Sequence, residues 1–193
     1  VKNLQSFGQT VVIAFNKFAT DTDEEIEVLR KHCEEMGCGF AVNSAFAEGG
    51  NGAIELANLV VKTIDERPSA PLYFAYDDND SVEEKIEKVA FNLYGAGSVT
   101  LSDSAKAMIE EIKKLGAEKF PICIAKTQYS FSTDAKAYGP TDGFELHVRD
   151  ITVNMGAEMI VVIAGPIMRM PGLPKSPQAE RIDVVNGEIT GLS

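Results

Sequence analysis

The chain has no tryptophan, only two histidines and only three cysteines among its 193 residues. Cys33, Cys38 and Cys123 have no metal-ligand spacing, and three cysteines do not make a disulfide framework. Scattered free thiols therefore predict a reducing, cytoplasmic compartment. His32 and His147 have no nucleophile or ligand partner nearby in the sequence, so neither is a candidate functional residue.

Basic residues are also scarce, because 18 Lys and Arg stand against 29 Asp and Glu, giving a formal net charge of −11. This balance excludes a nucleic-acid backbone or an anionic membrane as a general partner. The longest apolar run, near residues 159–164, is too short to span a bilayer. No signal peptide is predicted, because no basic region is followed by an apolar one.

Apolar periodicity predicts an α/β fold in two parts. Residues 1–78 are expected to form a Rossmann-like βαβα unit, and residues 79–193 a smaller α+β domain that ends in a β-hairpin around Asn186-Gly187. The boundary lies within the acidic turn of residues 77–80, which lacks the Gly and Glu of a calcium loop. Residues 1–8 have no clear helix cap and no clear hydrophobic periodicity. They are typical of a piece of a longer chain, although processing or cloning would leave the same start.

Capping boxes predict two helix starts, at Thr22 with Glu25 and at Ser81 with Glu84. A further helix is expected from residue 53 to about residue 66, with one apolar face formed by Ile54, Ala57, Val61 and Ile64. The glycines before it favour a tight turn over an anion cradle. They lack the Lys-Ser/Thr of a P-loop and the third glycine of a dinucleotide fingerprint.

Two apolar runs end in loops that each carry an aromatic ring. Val11 to Phe15 leads into Phe18, and Phe40 to Val42 leads into Phe46. If these runs are neighbouring parallel strands, both rings leave the same edge of the sheet, where α/β proteins bind ligands. Two such rings suit a flat heterocycle. The alternative, favoured by spacing alone, is that both rings plug the end of the core.

Two later segments also carry candidate chemistry. Lys126 to Ser130 groups a cation, hydroxyls and an amide after an apolar strand, and Lys126 is expected either at an anionic substrate group or paired with an acidic neighbour. Arg149 is expected to pair with an acidic neighbour such as Asp150. The segment from Met168 to Pro177 is rigid because of its prolines. It suits the face of a planar base, although a stiff connector needs no ligand.

Four strings, taken in order, resemble formate–tetrahydrofolate ligase (formyltetrahydrofolate synthetase): residues 16–22, 46–50, 125–130 and 170–174. Ala-Lys-Thr-Gln-Tyr-Ser and Met-Pro-Gly-Leu-Pro are the most specific. The resemblance runs from about residue 11 to residue 192 and covers only the carboxyl-terminal portion of that family. It implies an ATP-dependent ligase that joins formate to tetrahydrofolate through formyl phosphate, giving 10-formyltetrahydrofolate, ADP and phosphate.

The resemblance also implies residue roles. The folate-binding residues would be Asn16, Phe18, Val42 and Phe46, with Phe46 standing where a tryptophan is usual. The nucleotide-binding residues would be Met170, Pro171, Gly172, Leu173 and Pro174, and the candidate polar substrate contacts are Lys126, Thr127 and Gln128. No catalytic residue or metal ligand is assigned.

Its implied partners are ATP and tetrahydrofolate as substrates, Mg²⁺ in the whole enzyme and no covalently bound cofactor. It also implies a homo-oligomer and an N-terminal P-loop domain that these residues do not contain. Without a GxxxxGK[ST] string, the chain is expected to be inactive alone. The alternative is a stand-alone folate- or nucleotide-binding α/β module without catalysis. An oxidoreductase domain is disfavoured by the missing glycine fingerprint.

Overall fold

The computed structural model describes residues 1–167 and 175–191. Its first unit is built on two parallel strands, with Val12 opposite Gly39 and Asn16 opposite Asn43. The predicted βαβα order is confirmed, and a short first helix that the sequence pattern did not indicate precedes it. The elements are α1 (Lys2–Ser6), β1 (Val12–Asn16), α2 (Asp23–Glu35), β2 (Gly39–Asn43), α3 (Ala45–Glu48), a 3-10 turn (Gly49–Ala53) and α4 (Ile54–Glu66).

Apolar packing fixes the helices of this unit to the small sheet. On the α2 side, Cys33 and Cys38 join a buried cluster that also contains Ile13 and Phe40. On the α4 side, a Cβ added at Gly39 would lie 3.4 Å from Leu59. Adjacent residues of a strand point to opposite faces of its sheet, so helices cover both faces, as parallel strands require.

Local capping sets where the helices begin. The Thr22 hydroxyl accepts a hydrogen bond from the Glu25 N–H at 3.3 Å, and the Glu25 carboxylate accepts one from the Thr22 N–H at 2.9 Å. Ser81 and Glu84 repeat the arrangement at the start of the next helix. Both predicted capping boxes are therefore confirmed.

The predicted inner face of α4 is wrong. Leu56, Leu59 and Thr63 are its less exposed side chains, and Thr63 is buried. The row Ile54, Ala57, Val61 and Ile64, called here the α4 stripe, is exposed. The helix has two apolar sides, and periodicity alone does not show which of them meets the sheet.

The second unit is a four-stranded mixed sheet in the order β3-β5-β6-β4. β3 runs parallel to β5, β4 runs parallel to β6, and β5 and β6 are antiparallel. The α/β class is confirmed, and this unit, expected to be the smaller, has the larger buried core. Its elements are α5 (Val82–Tyr94), β3 (Ala96–Leu101), α6 (Asp103–Leu115), β4 (Ile122–Ala125), β5 (Phe144–Asn154) and β6 (Met159–Ala164).

A buried lysine ties α5 to the segment before β4. The Lys85 side chain is fully buried, and its ammonium donates to the carbonyls of Glu118 at 2.7 Å and Phe120 at 3.2 Å. It also lies 5.6 Å from the centre of the Tyr76 ring. Burial lowers the pKa of Lys85, and the nearby carboxylates act in the opposite direction.

The C-terminal hairpin is confirmed. A 3-10 turn (Gln178–Glu180) precedes β7 (Asp183–Val185) and β8 (Glu188–Thr190), which are antiparallel. Asn186 and Gly187 both have positive φ, as a two-residue turn between such strands requires. Within the described residues, no helix has the length and apolar character needed to cross a bilayer.

Candidate functional site

Two asparagines end the parallel strands side by side. The Asn43 side-chain amide donates to the side-chain oxygen Oδ1 of Asn16 at 2.8 Å, and the Ala45 N–H donates to the side-chain oxygen Oδ1 of Asn43 at 3.3 Å. These two hydrogen bonds identify which side-chain atom of Asn16 and of Asn43 is the oxygen. Asn16 is exposed, and its NH₂ group makes no hydrogen bond to the other described residues, so it is available as a donor.

A tight turn holds Phe18 directly beyond β1. The Phe18 N–H donates to the Asp21 carboxylate at 2.7 Å, and the Asp21 N–H donates back to the Phe18 carbonyl at 3.2 Å. The Lys17 N–H extends the ladder by donating to the Asn43 carbonyl at 3.0 Å. The position of Phe18 is thus set by its own turn and by the neighbouring strand.

Phe46 lies on α3, directly beyond β2, and its ring meets that of Phe18. The ring centres are 6.3 Å apart and the ring planes are inclined at 50°. Phe18 is 56% exposed and Phe46 is 90% exposed, so neither ring plugs the end of the core. The predicted meeting of the two rings at one sheet edge is confirmed, and the core-plug alternative is wrong.

The two rings stand close to the spacing of a ligand clamp. A flat ring between two parallel aromatic faces needs about 7 Å between their centres, because stacked carbon atoms pack about 3.5 Å apart. The pair therefore has to become parallel and open by less than about 1 Å to admit a heterocycle. Phe46 is almost fully exposed, so its ring has room to turn.

The glycine-rich segment after Phe46 is a close-packed turn. The Ser44 N–H donates to the Gly52 carbonyl at 3.0 Å. A Cβ added at Gly52 would lie 2.5 Å from the Ser44 carbonyl carbon and 2.8 Å from the Ala45 nitrogen. Glycine is required here because two stretches of backbone touch, which supports the tight-turn interpretation.

Val42 lies on β2, whereas the polar cluster of Lys126 to Ser130 follows β4. Val42 is partly buried, pairs with Phe15 across the strands and comes directly before Asn43. Thr127 accepts a hydrogen bond from the Tyr129 N–H at 3.3 Å, and Gln128 is exposed. Across the described ranges, no hydrogen bond, ion pair or aromatic contact joins the cluster to the two rings.

The Lys126 ammonium is held by its own loop. It donates to the carbonyls of Thr127 and Ser130 and lies 4.8 Å from the centre of the Tyr94 ring. Burial lowers its pKa. In the part of the chain that the structure describes, no carboxylate pairs with Lys126, so the expected acidic neighbour is not its partner.

Arg149 also differs from expectation. Its guanidinium donates to the Ile167 carbonyl at 2.9 Å. The Asp150 carboxylate instead accepts hydrogen bonds from the Ser104 hydroxyl at 3.0 Å and from the Ile151 N–H at 2.9 Å. The predicted Arg149–Asp150 pair is therefore wrong.

Sequence reasoning missed two features of these sheets. Asn43 was not named as a site residue, because its role depends on its register against Asn16. The Thr100 hydroxyl on β3 donates to the Glu145 carboxylate at 2.6 Å and lies 2.9 Å from His147 Nδ1. These contacts were missed because the sequence did not predict a strand at β3. The predicted nucleotide segment, Met170 to Pro174, lies outside the described residues.

The family model described as formate–tetrahydrofolate ligase matches residues 1–193. The chain is 64% identical to the formate–tetrahydrofolate ligase of Bacteroides fragilis and 65% identical to that of Phocaeicola vulgatus, over 193 residues in each case. The corresponding Porphyromonas gingivalis ligase is 55% identical. Each comparison covers all of this chain but only 35% of the relative.

Proposed function

Because the chain belongs to the formate–tetrahydrofolate ligase family, we propose that it is the carboxyl-terminal portion of an ATP-dependent ligase that formylates tetrahydrofolate. The products would be 10-formyltetrahydrofolate, ADP and phosphate. In this proposal the chain supplies the folate side of a site that the rest of the polypeptide completes. The boundary between its own two parts would fall near residue 78.

The observation that supports this most directly is the pair of exposed rings, Phe18 and Phe46, at the ends of two adjacent strands. Such rings favour a flat ligand held by its faces. The bicyclic pterin of tetrahydrofolate is flat enough to be held in this way. It would enter as the two rings become parallel.

The amide pair gives the proposed site a polar edge. The NH₂ group of Asn16 is available as a donor because its side-chain oxygen is the atom that accepts from Asn43. A pterin carries a ring carbonyl that accepts hydrogen bonds, so Asn16 would donate to that edge while the two rings hold the faces. Val42 would help to form the floor beside Asn43.

The chemistry itself needs groups that this chain does not supply. A formate oxygen would attack the γ-phosphorus of ATP and release ADP. N10 of the folate would then attack the formyl carbon of the formyl phosphate, releasing phosphate and losing its own proton to solvent. Phosphoryl transfer requires positioned donors, a lysine and Mg²⁺. In this proposal Mg²⁺ would be held with the ATP phosphates at the P-loop, whose GxxxxGK[ST] string this sequence lacks.

The remaining assignments complete the proposal. Met170, Pro171, Gly172, Leu173 and Pro174 would lie against the adenine, and Thr127 and Gln128 would offer polar contacts to substrate. The Lys126 ammonium would have to leave its loop carbonyls to join them. We further propose a homo-oligomeric, cytoplasmic enzyme, by analogy with the family.

Calorimetric titration of tetrahydrofolate into the full-length polypeptide that contains this sequence would test the site. Phe18→Ala and Phe46→Ala are each expected to weaken binding about tenfold or more, because each removes a stacking face that contributes about 1.5 kcal/mol. Phe74→Ala removes a ring on another segment whose exposure, 79%, lies between those of Phe18 and Phe46, and it is the matched control. Equal affinity in all four proteins would contradict the proposal.

A turnover assay separates the ligase from the stand-alone module. The 193-residue chain, given ATP, formate and tetrahydrofolate, is expected to form no 10-formyltetrahydrofolate, whereas the full-length polypeptide is expected to form it. Turnover by the isolated chain would refute the division of the site. Binding without turnover in the full-length polypeptide would favour a module that has lost its catalysis.

A further inference from the structure

One apolar surface of the first unit has no packing partner among residues 1–167 and 175–191. In the α4 stripe, Ile54 is 54% exposed, Val61 is 59% exposed and Ile64 is 63% exposed. With Ala57 between them, their spacing of three, four and three residues places them in a single row along the helix. Val60 adjoins the row and is also exposed. Together they form an apolar face wide enough to pack against another layer.

The opposite side of α4 already holds the helix in place. Leu59 packs over Gly39, and Thr63 is buried with its hydroxyl donating to the Leu59 carbonyl at 2.7 Å. The stripe is therefore not needed to attach α4 to its sheet. A helix that is apolar on two sides is typical of an element buried between two layers, and the described residues provide only one of those layers.

The small number of strands beneath α4 also indicates a missing layer. Sheets usually have four to six strands, and parallel sheets are normally enclosed by other elements. Among the described residues, β1 pairs only with β2. The chain spans 35% of the length of its relatives, so most of a ligase of that size lies outside it.

We propose that the α4 stripe is the docking surface for the part of the ligase polypeptide that this chain does not include, which would present a matching apolar face. The missing part of the polypeptide is the occupant that the 35% coverage and the two-stranded sheet favour, and a second copy of this chain is the alternative that the test below distinguishes. The inference rests on the proposed function only in requiring a longer ligase polypeptide. Its test does not involve folate, so the docking proposal and the proposed folate site can be refuted independently of each other.

Thiol labelling of the full-length polypeptide tests this docking. Val61→Cys places a thiol in the stripe, and Val28→Cys places one on α2, where the valine is 68% exposed and the helix has the same length. Labelling would be followed by mass spectrometry of the peptide around each position. The thiol at position 61 is expected to react at least about tenfold more slowly than that at position 28, because buried sites react only through opening.

Ala57→Cys gives a second probe of the stripe that changes the volume little, and it replaces Val61→Cys if that variant does not fold. In the isolated 193-residue chain, all three thiols are expected to react at similar rates. Equal rates in the full-length polypeptide would overturn the proposal. Protection that arises in the isolated chain as its concentration is raised would assign the stripe to a second copy, and would overturn it as well.

Discussion

Replacing Gly52 by alanine should disturb both the stability of the first unit and the position of Phe46. The added Cβ would lie 2.5 Å from the carbonyl carbon of Ser44 and 2.6 Å from its oxygen. Backbone atoms cannot turn away as a flexible side chain can, so residues 44 and 45 would have to shift. Those residues lead into α3, which carries the Phe46 ring.

Overpacking of this kind destabilises a protein by about 1–3 kcal/mol. For a chain of this size, each kcal/mol lowers the melting temperature by about 2–4 °C, so a decrease of about 2–12 °C is expected. Gly50→Ala is the matched control, because no atom lies within 4 Å of its added Cβ. Neither glycine has a positive φ, so the comparison isolates the steric contact.

Thermal unfolding followed by circular dichroism would measure the difference, and titration with tetrahydrofolate would report the displacement of Phe46. We expect Gly50→Ala to retain the melting temperature and the affinity, and Gly52→Ala to lower both. If the two variants melt together, the contact between residues 44 and 52 does not constrain the turn. The tight-turn account of this segment would then be refuted.

Three further outcomes are expected. Phe46→Trp should raise tetrahydrofolate affinity by about two- to fivefold, because a larger ring adds about 0.5–1 kcal/mol of stacking, and calorimetry that detects no gain would count against the clamp. Lys85→Met should lower the unfolding free energy by about 1–3 kcal/mol in urea, since two partly buried carbonyls lose their donor, and an unchanged midpoint would contradict that role. Hydrogen bonds at the capping boxes lower the pKa of Glu25 and Glu84, so the stability they add is present above pH 4.5 and is lost as the pH falls through their folded-state pKa. Urea unfolding at several pH values should show that loss, and the loss should be smaller in Glu25→Gln. If the unfolding free energy falls with pH equally steeply in both proteins, this role of Glu25 is refuted.

Features that depend on neighbouring residues were predicted from the sequence. The capping boxes and the Asn186-Gly187 hairpin need only side chains two or three positions apart, and all of them formed as expected. The meeting of Phe18 and Phe46 needed one further assumption, that two consecutive strands run parallel. It followed because that arrangement is common in βαβ units.

Features that depend on distant pairing were missed. β3 begins with small residues, and Gly97 lies against the backbone of Gly143, where an added Cβ would be 3.0 Å from the Gly143 Cα. Nothing near Gly97 in the sequence reveals that contact. The orienting role of Asn43 is likewise a consequence of register, and the inner face of α4 could not be chosen from its hydrophobic pattern.

The strand order of the second unit has a consequence for the sequence of folding events. β5 and β6 are consecutive antiparallel strands joined by a short turn, so their pairing closes a small loop. The parallel pairs on either side must each close a long loop, from Leu101 to Phe144 and from Ala125 to Met159, which carries a larger entropic penalty. The central hairpin should therefore form first and serve as the template on which β3 and β4 assemble. Pulsed hydrogen exchange that found β3 protected before β6 would exclude this order.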